Sequence, residues 1–186
     1  HFMSLYTNDI QDKLGRVLGH LKGELSAVRS GRATPALVEH IKVEAYGTMT
    51  PLIELASISA PEPRLIVVSP WDKANVKNVE KALMQANLGV TPTVDGAVVR
   101  LNFPALSEER RKEVVKQMSV KLEEARVATR AVREEISKRL KEAKSTGTLA
   151  EDAFFAEQKE LQKFVDEQNL QIKKLGDEKE KEIMTI

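Results

Sequence analysis

The longest uninterrupted helical pattern in this chain of 186 residues is SEERRKEVVKQMSVKLEEARVATRAVREEISKRLKEAKS, residues 107–145. Its apolar positions alternate in steps of three and four, as along the buried side of an α-helix. They are Val115, Met118, Leu122, Ala125, Thr129, Val132 and Ile136, continued by Leu140 and Ala143. Ser107 can cap the start, and Glu108 and Glu109 suit the positive end of the helix dipole. The pattern predicts a helix about 58 Å long at ~1.5 Å per residue.

A second long helix is predicted after the break STGT at 145–148. Thr148 and Glu151 have the spacing of a capping box. The buried side of this helix is predicted to consist of Phe154, Leu161, Val165, Ile172, Leu175 and Ile183. Gly176 lies within it and costs about 1 kcal/mol relative to Ala in a helix interior.

A third amphipathic helix is predicted near the N-terminus, capped by Thr7 or Asn8 and ending near Gly31. Its apolar residues are Ile10, Leu14, Val17, Leu21, Leu25 and Val28. None of the three helices can bury its apolar side alone. Together they predict an elongated three-helix bundle.

The segment between the first helix and the other two has a different pattern, and it contains all seven prolines. IKVEAY at 41–46 alternates like a half-buried strand, and LIVV at 65–68 is typical of a short buried strand. Asp72 can cap a helix that runs to about Asn87, and a turn at 95–96 leads into a strand at 98–103. A small domain is therefore inserted into the sequence of the bundle.

The predicted fold class is α+β, with the bundle formed by residues 1–30 and 106–186 and the inserted β/α/β domain by residues 31–105. The chain crosses between these domains twice, near 30–33 and near 104–106. Two short connectors can act together as a hinge. The predicted hinge residues are Ser30, Gly31, Pro104 and Ala105.

Composition excludes several classes of protein. Hydrophobic residues make up 41% and charged residues 31%, which is typical of a folded soluble protein. No apolar run approaches the ~20 residues of a membrane span, and no leader pattern is visible, so we expect a cytoplasmic protein or the mature form of an imported one. His1 and Phe2, which precede Met3, are interpreted as a cloning remnant and left out of the fold prediction.

No catalytic pattern is visible. The chain has no cysteine, and its three histidines share no metal-ligand spacing. Glycine-rich phosphate loops and nucleophile motifs are missing from the sequence. The prediction is a protein that is not an enzyme and needs no metal or cofactor.

Charge is distributed unevenly although its total is only +1. Residues 107–145 contain 12 Lys/Arg against 8 Asp/Glu, whereas residues 148–186 contain 6 against 10. Within the first group, Arg126, Arg130 and Arg133 lie within about 60° of one another around the helix, beside the apolar seam. We call these three residues the arginine stripe. Arginine has the planar donor geometry that suits phosphate.

Two interpretations of the arginine stripe remain open at this point. It is either a surface for an anionic partner or a set of ion pairs with the acidic last helix, Glu123 and Glu134. The same question applies to two further pairs, Arg110 with Arg111 and Arg29 with Arg32. They are either part of an anion-binding surface or residues that cap helices or form salt bridges between the domains. The long helices also permit a coiled-coil scaffold or chaperone-like module, although the inserted domain favours packing within one chain, as a monomer.

Several ordered motifs then resemble the ribosome recycling factor family from about residue 8 onward. They include RSGRA at 29–33, YGTMTPL at 46–52, LAS at 55–57, NLG at 87–89 and DG at 95–96. The most specific are PALSEERRK at 104–112 and EARVATRAVR at 124–133. The resemblance implies an L-shaped molecule with a three-helix bundle and a mobile small domain.

The resemblance also implies a function. Family members bind the post-termination ribosome, where the bundle contacts large-subunit ribosomal RNA, and with elongation factor G and GTP they split it into subunits and release it from mRNA. Arg133 matches the family's most important RNA-contacting arginine. The supporting RNA-binding residues by position are Arg130, Arg126, Arg29, Arg32, Arg110 and Arg111. Glu134 departs from the family, since many relatives carry a second basic residue there.

Overall fold

The computed structural model describes residues 4–185, so the interpretation of His1 and Phe2 lies outside the described residues. The helices are α1 (Leu5–Ala27), α2 (Val76–Gln85), α3 (Glu108–Ser145) and α4 (Glu151–Thr185). The strands are β1 (Lys42–Ala45), β2 (Thr48–Pro51), β3 (Ala56–Glu62), β4 (Leu65–Pro70), β5 (Thr93–Asp95) and β6 (Val98–Asn102). The predicted α+β fold with an inserted small domain is confirmed.

By its internal contacts the chain divides into two compact units, one of residues Ser30–Arg110 and one that combines the N-terminal residues up to Arg29 with Arg111–Met184. The second unit is a bundle of α1, α3 and α4. Within the described residues, no helix combines the length and apolar character that a bilayer crossing requires.

Of the helix caps predicted for the three long helices, one is confirmed and two are wrong. Ser107 caps α3, because the Arg110 backbone N–H donates to Ser107 Oγ at 3.1 Å. Helix α1 begins earlier than predicted, since Ser4, not Thr7 or Asn8, accepts from the Thr7 backbone N–H at 3.0 Å. The predicted capping box before α4 does not appear, and Thr148 Oγ1 instead lies 3.0 Å from Thr146 Oγ1.

Two apolar clusters fill the bundle. One surrounds Met118, Leu122 and Ile172, and the other surrounds Ile10, Ile136 and Leu140. The sequence pattern predicted that Val115 is buried, but the structure buries its neighbour Val114, which is 3% exposed, and leaves Val115 partly buried. The buried side of α3 is thus displaced by one residue in its first turns.

Polar side chains are buried between these clusters. Thr129 Oγ1 donates to the Ala125 carbonyl of its own helix at 2.8 Å, as expected for a buried threonine. Gln168 Nε2 donates to the Leu14 carbonyl of α1 at 3.0 Å. The bundle core is therefore more polar at this height, beside the arginine stripe, than within either cluster.

The inserted unit contains a β1–β2 hairpin and an antiparallel sheet of order β3-β4-β6-β5, with α2 packed against β1. Val43, Ile66, Val79, Leu83 and Val99 belong to its core. Strand β3 was not predicted from the sequence, and it contains Pro61 at a register shift between Ser59 and Glu62. Proline is tolerated there because β3 is an edge strand.

Candidate nucleic-acid interface

The arginine stripe lies along one flank of α3, where the helical repeat brings every third or fourth residue to the same side. Arg130 is exposed, and Arg126 and Arg133 are half-buried. Small seam residues stand beside them, because Ala125 and Thr129 fill little of the space between α3 and α4. A groove consequently forms in the surface at this height.

Part of this groove is a recess of about 140 Å³, here called the first recess. Its floor is Thr129 and Val165, and its walls are the arginine stripe from α3 and Asn169 from α4. Thr129 and Val165 are buried, with 1% and 4% exposure. The recess thus has an apolar floor, a cationic wall and an amide wall.

A second recess of about 270 Å³ adjoins the first, since Arg133 lines both. Its other lining residues are Glu134, Ser137, Lys138 and Lys141. Lys144 lies one turn further along α3, with its Nζ 3.6 Å from Glu151 Oε1. Basic side chains therefore continue along the same flank of α3 for more than two turns beyond Arg133.

Of the ion pairs that one of the two interpretations predicted, with α4, Glu123 or Glu134, the structure shows one among the described residues. Within residues 4–185, Arg130 and Arg133 form no hydrogen bond or ion pair. Arg126 does pair with Glu123, at 3.5 Å between Nη1 and Oε2. That interpretation is therefore right for one arginine and wrong for the other two.

The reason lies in which flank of α4 faces the arginine stripe. Counting about 100° per residue from Val165, Gln158, Gln162 and Asn169 fall at about +20°, +60° and +40°, on the side where Asn169 meets the arginines. Asp166, further round the helix, accepts a hydrogen bond from Gln162 Nε2 at 2.8 Å. On this side of α4 the polar residue that lines the first recess with the arginines is therefore an amide, Asn169, and not a carboxylate.

The opposite flank of α3, which faces α1, is built differently. There Lys13 pairs with Glu135 and Arg139 pairs with Asp9 across the helices. Lys121 Nζ lies 3.1 Å from Glu24 Oε2, and the hydrogen bond to Glu24 raises the pKa of Lys121 above its ordinary value. Basic groups that serve the bundle are paired in this way, whereas Arg130 and Arg133 are not.

The other predicted RNA-binding residues lie elsewhere. Arg111 Nη1 donates to the Met184 carbonyl at 3.2 Å, so this guanidinium helps to cap the end of α4. Arg29 is exposed just beyond α1, at the end of the bundle where Glu24 meets Lys121, far along the axis from the level of Arg133. Arg32 and Arg110 are exposed in the other unit.

Three residues of this surface, Lys141, Lys144 and Asn169, were not predicted from the sequence. Lys141 and Lys144 fall at about +60° and 0° in the same count that places the arginines, so the helical repeat alone could have found them. Asn169 carries no such signal, because its place beside the arginines depends on how α4 is rotated against α3.

Comparisons with known proteins agree on one family. A family model described as ribosome recycling factor matches residues 21–184. The ribosome-recycling factor of Desulfosudis oleivorans is 44% identical over 99% of this chain and 100% of its own length. That of Bacillus subtilis is 43% identical over 95% of each chain.

Solved structures give the same result. A solution structure of the ribosome recycling factor matches with a TM-score of 0.70 and 38% identity, over 99% of this chain and 100% of that one. Models for the T. thermophilus ribosome recycling factor and the E. coli elongation factor G bound to the E. coli post-termination complex match with a TM-score of 0.59 and 38% identity, over 96% of each chain.

Proposed function

The chain belongs to the ribosome recycling factor family, and we propose that it binds large-subunit ribosomal RNA through the arginine stripe. The observation that carries this proposal is the contrast between the two flanks of α3. Basic groups facing α1 are neutralised within the bundle, whereas Arg130 and Arg133 line a recess with the amide of Asn169 and have no partner in the described chain. Unpaired arginines along a groove are what phosphate recognition requires.

The protein acts in ribosome recycling, the step of translation that follows termination. Models of a relative and of elongation factor G bound to the post-termination complex support the same GTPase as the partner of this chain. In this proposal the protein binds as a monomer in the cytoplasm and contributes binding and positioning, while the GTPase supplies the chemical step.

The proposal includes a hinge at the two connectors predicted from the sequence. Residues 29–34 and 103–107 have no helix or strand structure, and Gly31 has a φ of +83°, which favours glycine. Bending at Ser30, Gly31, Pro104 and Ala105 would let the small domain move while the bundle stays on RNA.

Replacement of Arg133 tests the RNA-binding face. The Arg133→Ala variant should bind isolated large subunits about 10- to 150-fold more weakly, since a charge-assisted hydrogen bond contributes about 1.5–3 kcal/mol. The slope of log K against log salt should become shallower by about 0.7–0.9, the share of one phosphate contact. Co-sedimentation at several salt concentrations measures both quantities.

Arg16→Ala is the matched control, because Arg16 is an equally basic, 76% exposed side chain that pairs with Asp12 on α1. This variant should bind like the parent protein. If Arg133→Ala keeps full affinity and the full salt slope, the arginine stripe is not the contact.

Replacement of Glu134 should have the opposite effect on ribosome binding in the same experiment. It lines the second recess beside Arg133, where its carboxylate faces the anion that we place there. Glu134→Arg should therefore tighten binding and steepen the salt slope, whereas Glu142→Arg, an exposed site elsewhere on α3, should do neither.

A coiled-coil scaffold or chaperone-like module is the alternative function. Such a protein would not co-sediment with large subunits, and added salt would not release its partner. The same sedimentation series separates the two functions.

A further inference from the structure

The first recess differs from a simple phosphate site, because it has an apolar floor and a neutral amide in its wall. We propose that it binds one unstacked nucleobase of the bound RNA, whose edge is recognised by Asn169. This inference rests on the proposed function, since the arginine stripe must bring the RNA to the groove.

The floor suits the face or edge of a base. The Thr129 hydroxyl already donates to the Ala125 carbonyl at 2.8 Å, so its proton is not available to a ligand. Val165 presents only a methyl surface. A phosphate would gain nothing from this floor. A base that covers the floor removes apolar surface from water, which favours binding.

The wall formed by α3 suits a planar ring. Arg126 pairs with Glu123 of the same helix, at 3.5 Å, and is half-buried, so its guanidinium has fewer orientations open to it than that of a fully exposed arginine. Arginine planes stack on unpaired bases in RNA complexes. Arg130 and Arg133, which have no partner within residues 4–185, remain for the flanking phosphates.

Asn169 supplies the recognition of the base edge. Its amide offers both a donor and an acceptor, and within the described chain it forms no hydrogen bond. Apart from Thr129, whose hydroxyl donates to the Ala125 carbonyl, it is the only uncharged polar side chain among the described residues that line the first recess. The second recess lacks such an amide and carries mainly charged side chains, which fits backbone contacts.

The size of the first recess selects a single base. Its volume of about 140 Å³ is close to the ~150 Å³ of an engineered cavity that holds one benzene ring, so it has room for about one ring and not for a stacked pair. Single unstacked bases occur in the loops and bulges of RNA and not within a regular duplex, so we expect the base to come from a loop or bulge.

Chemical footprinting on large subunits tests the inference. The parent protein should protect at least one unpaired base from base-specific modification, and should also protect nearby backbone from hydroxyl radicals. Asn169→Ala should lose the base protection but keep the backbone protection. Its affinity should fall about 2- to 12-fold, the equivalent of one neutral hydrogen bond, with an unchanged salt slope.

Gln171→Ala is the control, because Gln171 is an exposed amide on α4 that does not line the first recess. It should retain both kinds of protection. Base protection that persists in Asn169→Ala, or that the parent protein never shows, overturns the base site while leaving the RNA-binding face in place. A parent protein without backbone protection contradicts the proposed function itself.

Discussion

Tyr46 and Asp72 join the tip of the β1–β2 hairpin to the segment before α2, although both side chains are exposed. Tyr46 Oη donates to Asp72 Oδ2 at 2.6 Å, and Asn75 Nδ2 donates to Tyr46 Oη at 3.3 Å. Tyr46 has a φ of 52°, which is unusual for a residue with a side chain. The hydrogen bonds around its hydroxyl help to hold this turn.

The pKa values of this pair move apart. The hydrogen bond from Tyr46 lowers the pKa of Asp72 below its ordinary 3.8, and the hydrogen bond to Asp72 raises the pKa of Tyr46 above 10.0. The lowered Asp72 pKa stabilises the fold above pH 3.8, and this stability is lost as the pH falls through the folded value. The raised Tyr46 pKa stabilises below pH 10.0, and this stability is lost as the pH rises through the folded value.

Tyr46→Phe should therefore lower the melting temperature of the inserted unit between about pH 4 and pH 10, and the difference from the parent protein should close outside this window. Thermal unfolding followed by the fluorescence of Trp71, the single tryptophan, measures it. Tyr6→Phe, in the bundle, is the control. A difference that stays constant from pH 2 to pH 11 would show that the hydrogen bond is not its cause.

At the scale of secondary-structure elements, a glycine allows α3 and α4 to approach closely. A Cβ atom on Gly176 would lie 2.6 Å from Leu122 Cδ1, so a larger residue forces Leu122 to move. On α1, by contrast, a Cβ on Gly19 would meet no described atom within 4 Å. The sequence pattern showed only the helix-propensity cost of Gly176, because the contact with Leu122 depends on helix packing.

The two glycines should respond oppositely to alanine. Gly19→Ala should raise the free energy of unfolding by up to about 1 kcal/mol through helix propensity. Gly176→Ala should gain the same free energy of unfolding from helix propensity but lose about 1–3 kcal/mol by overpacking against Leu122. The net change in its free energy of unfolding should therefore lie between zero and a loss of about 2 kcal/mol. Urea unfolding measures both variants.

A double-variant cycle isolates the contact. In a Leu122→Ala background the overpacking disappears, and Gly176→Ala should then stabilise as Gly19→Ala does. If Gly176→Ala is already as stabilising as Gly19→Ala in the parent protein, Leu122 moves aside without cost and the close approach is unimportant.

At the scale of the whole molecule, the proposed hinge separates ribosome binding from ribosome splitting. Gly31 has a φ of +83°, and a Cβ placed on it would lie 3.0 Å from Leu106 Cγ, a residue of the second connector. Substitution here therefore strains the backbone and crowds the other connector.

Gly31→Ala should leave the affinity for large subunits within about two-fold of the parent value, because the arginine stripe is untouched. It should slow subunit splitting with elongation factor G by about 5- to 30-fold, if 1–2 kcal/mol of left-handed strain acts on the bending step. Light scattering of ribosomes follows the splitting.

Gly96→Ala provides the control, because Gly96 also has a positive φ, of 62°, but lies in the β5–β6 turn. It should destabilise the inserted unit without a comparable loss of splitting rate. Equal rates for Gly31→Ala and the parent protein would contradict the hinge.

The sequence by itself determined the features that repeat locally along the chain. The steps of three and four residues predicted three helices and their buried sides, and the same repeat placed the arginine stripe beside the seam of α3. Proline and turn residues marked the inserted domain. These features follow from backbone geometry within a few turns, so they need no knowledge of distant residues.

Only the tertiary structure decided which groups meet across the bundle. It placed Asn169 of α4 in the first recess beside the arginines and brought Leu122 onto Gly176. It also directed Arg111 to the Met184 carbonyl, a structural contact for a residue predicted to bind RNA. Such contacts depend on the rotation and height of one helix against another, which core packing sets over the whole bundle and no local pattern encodes.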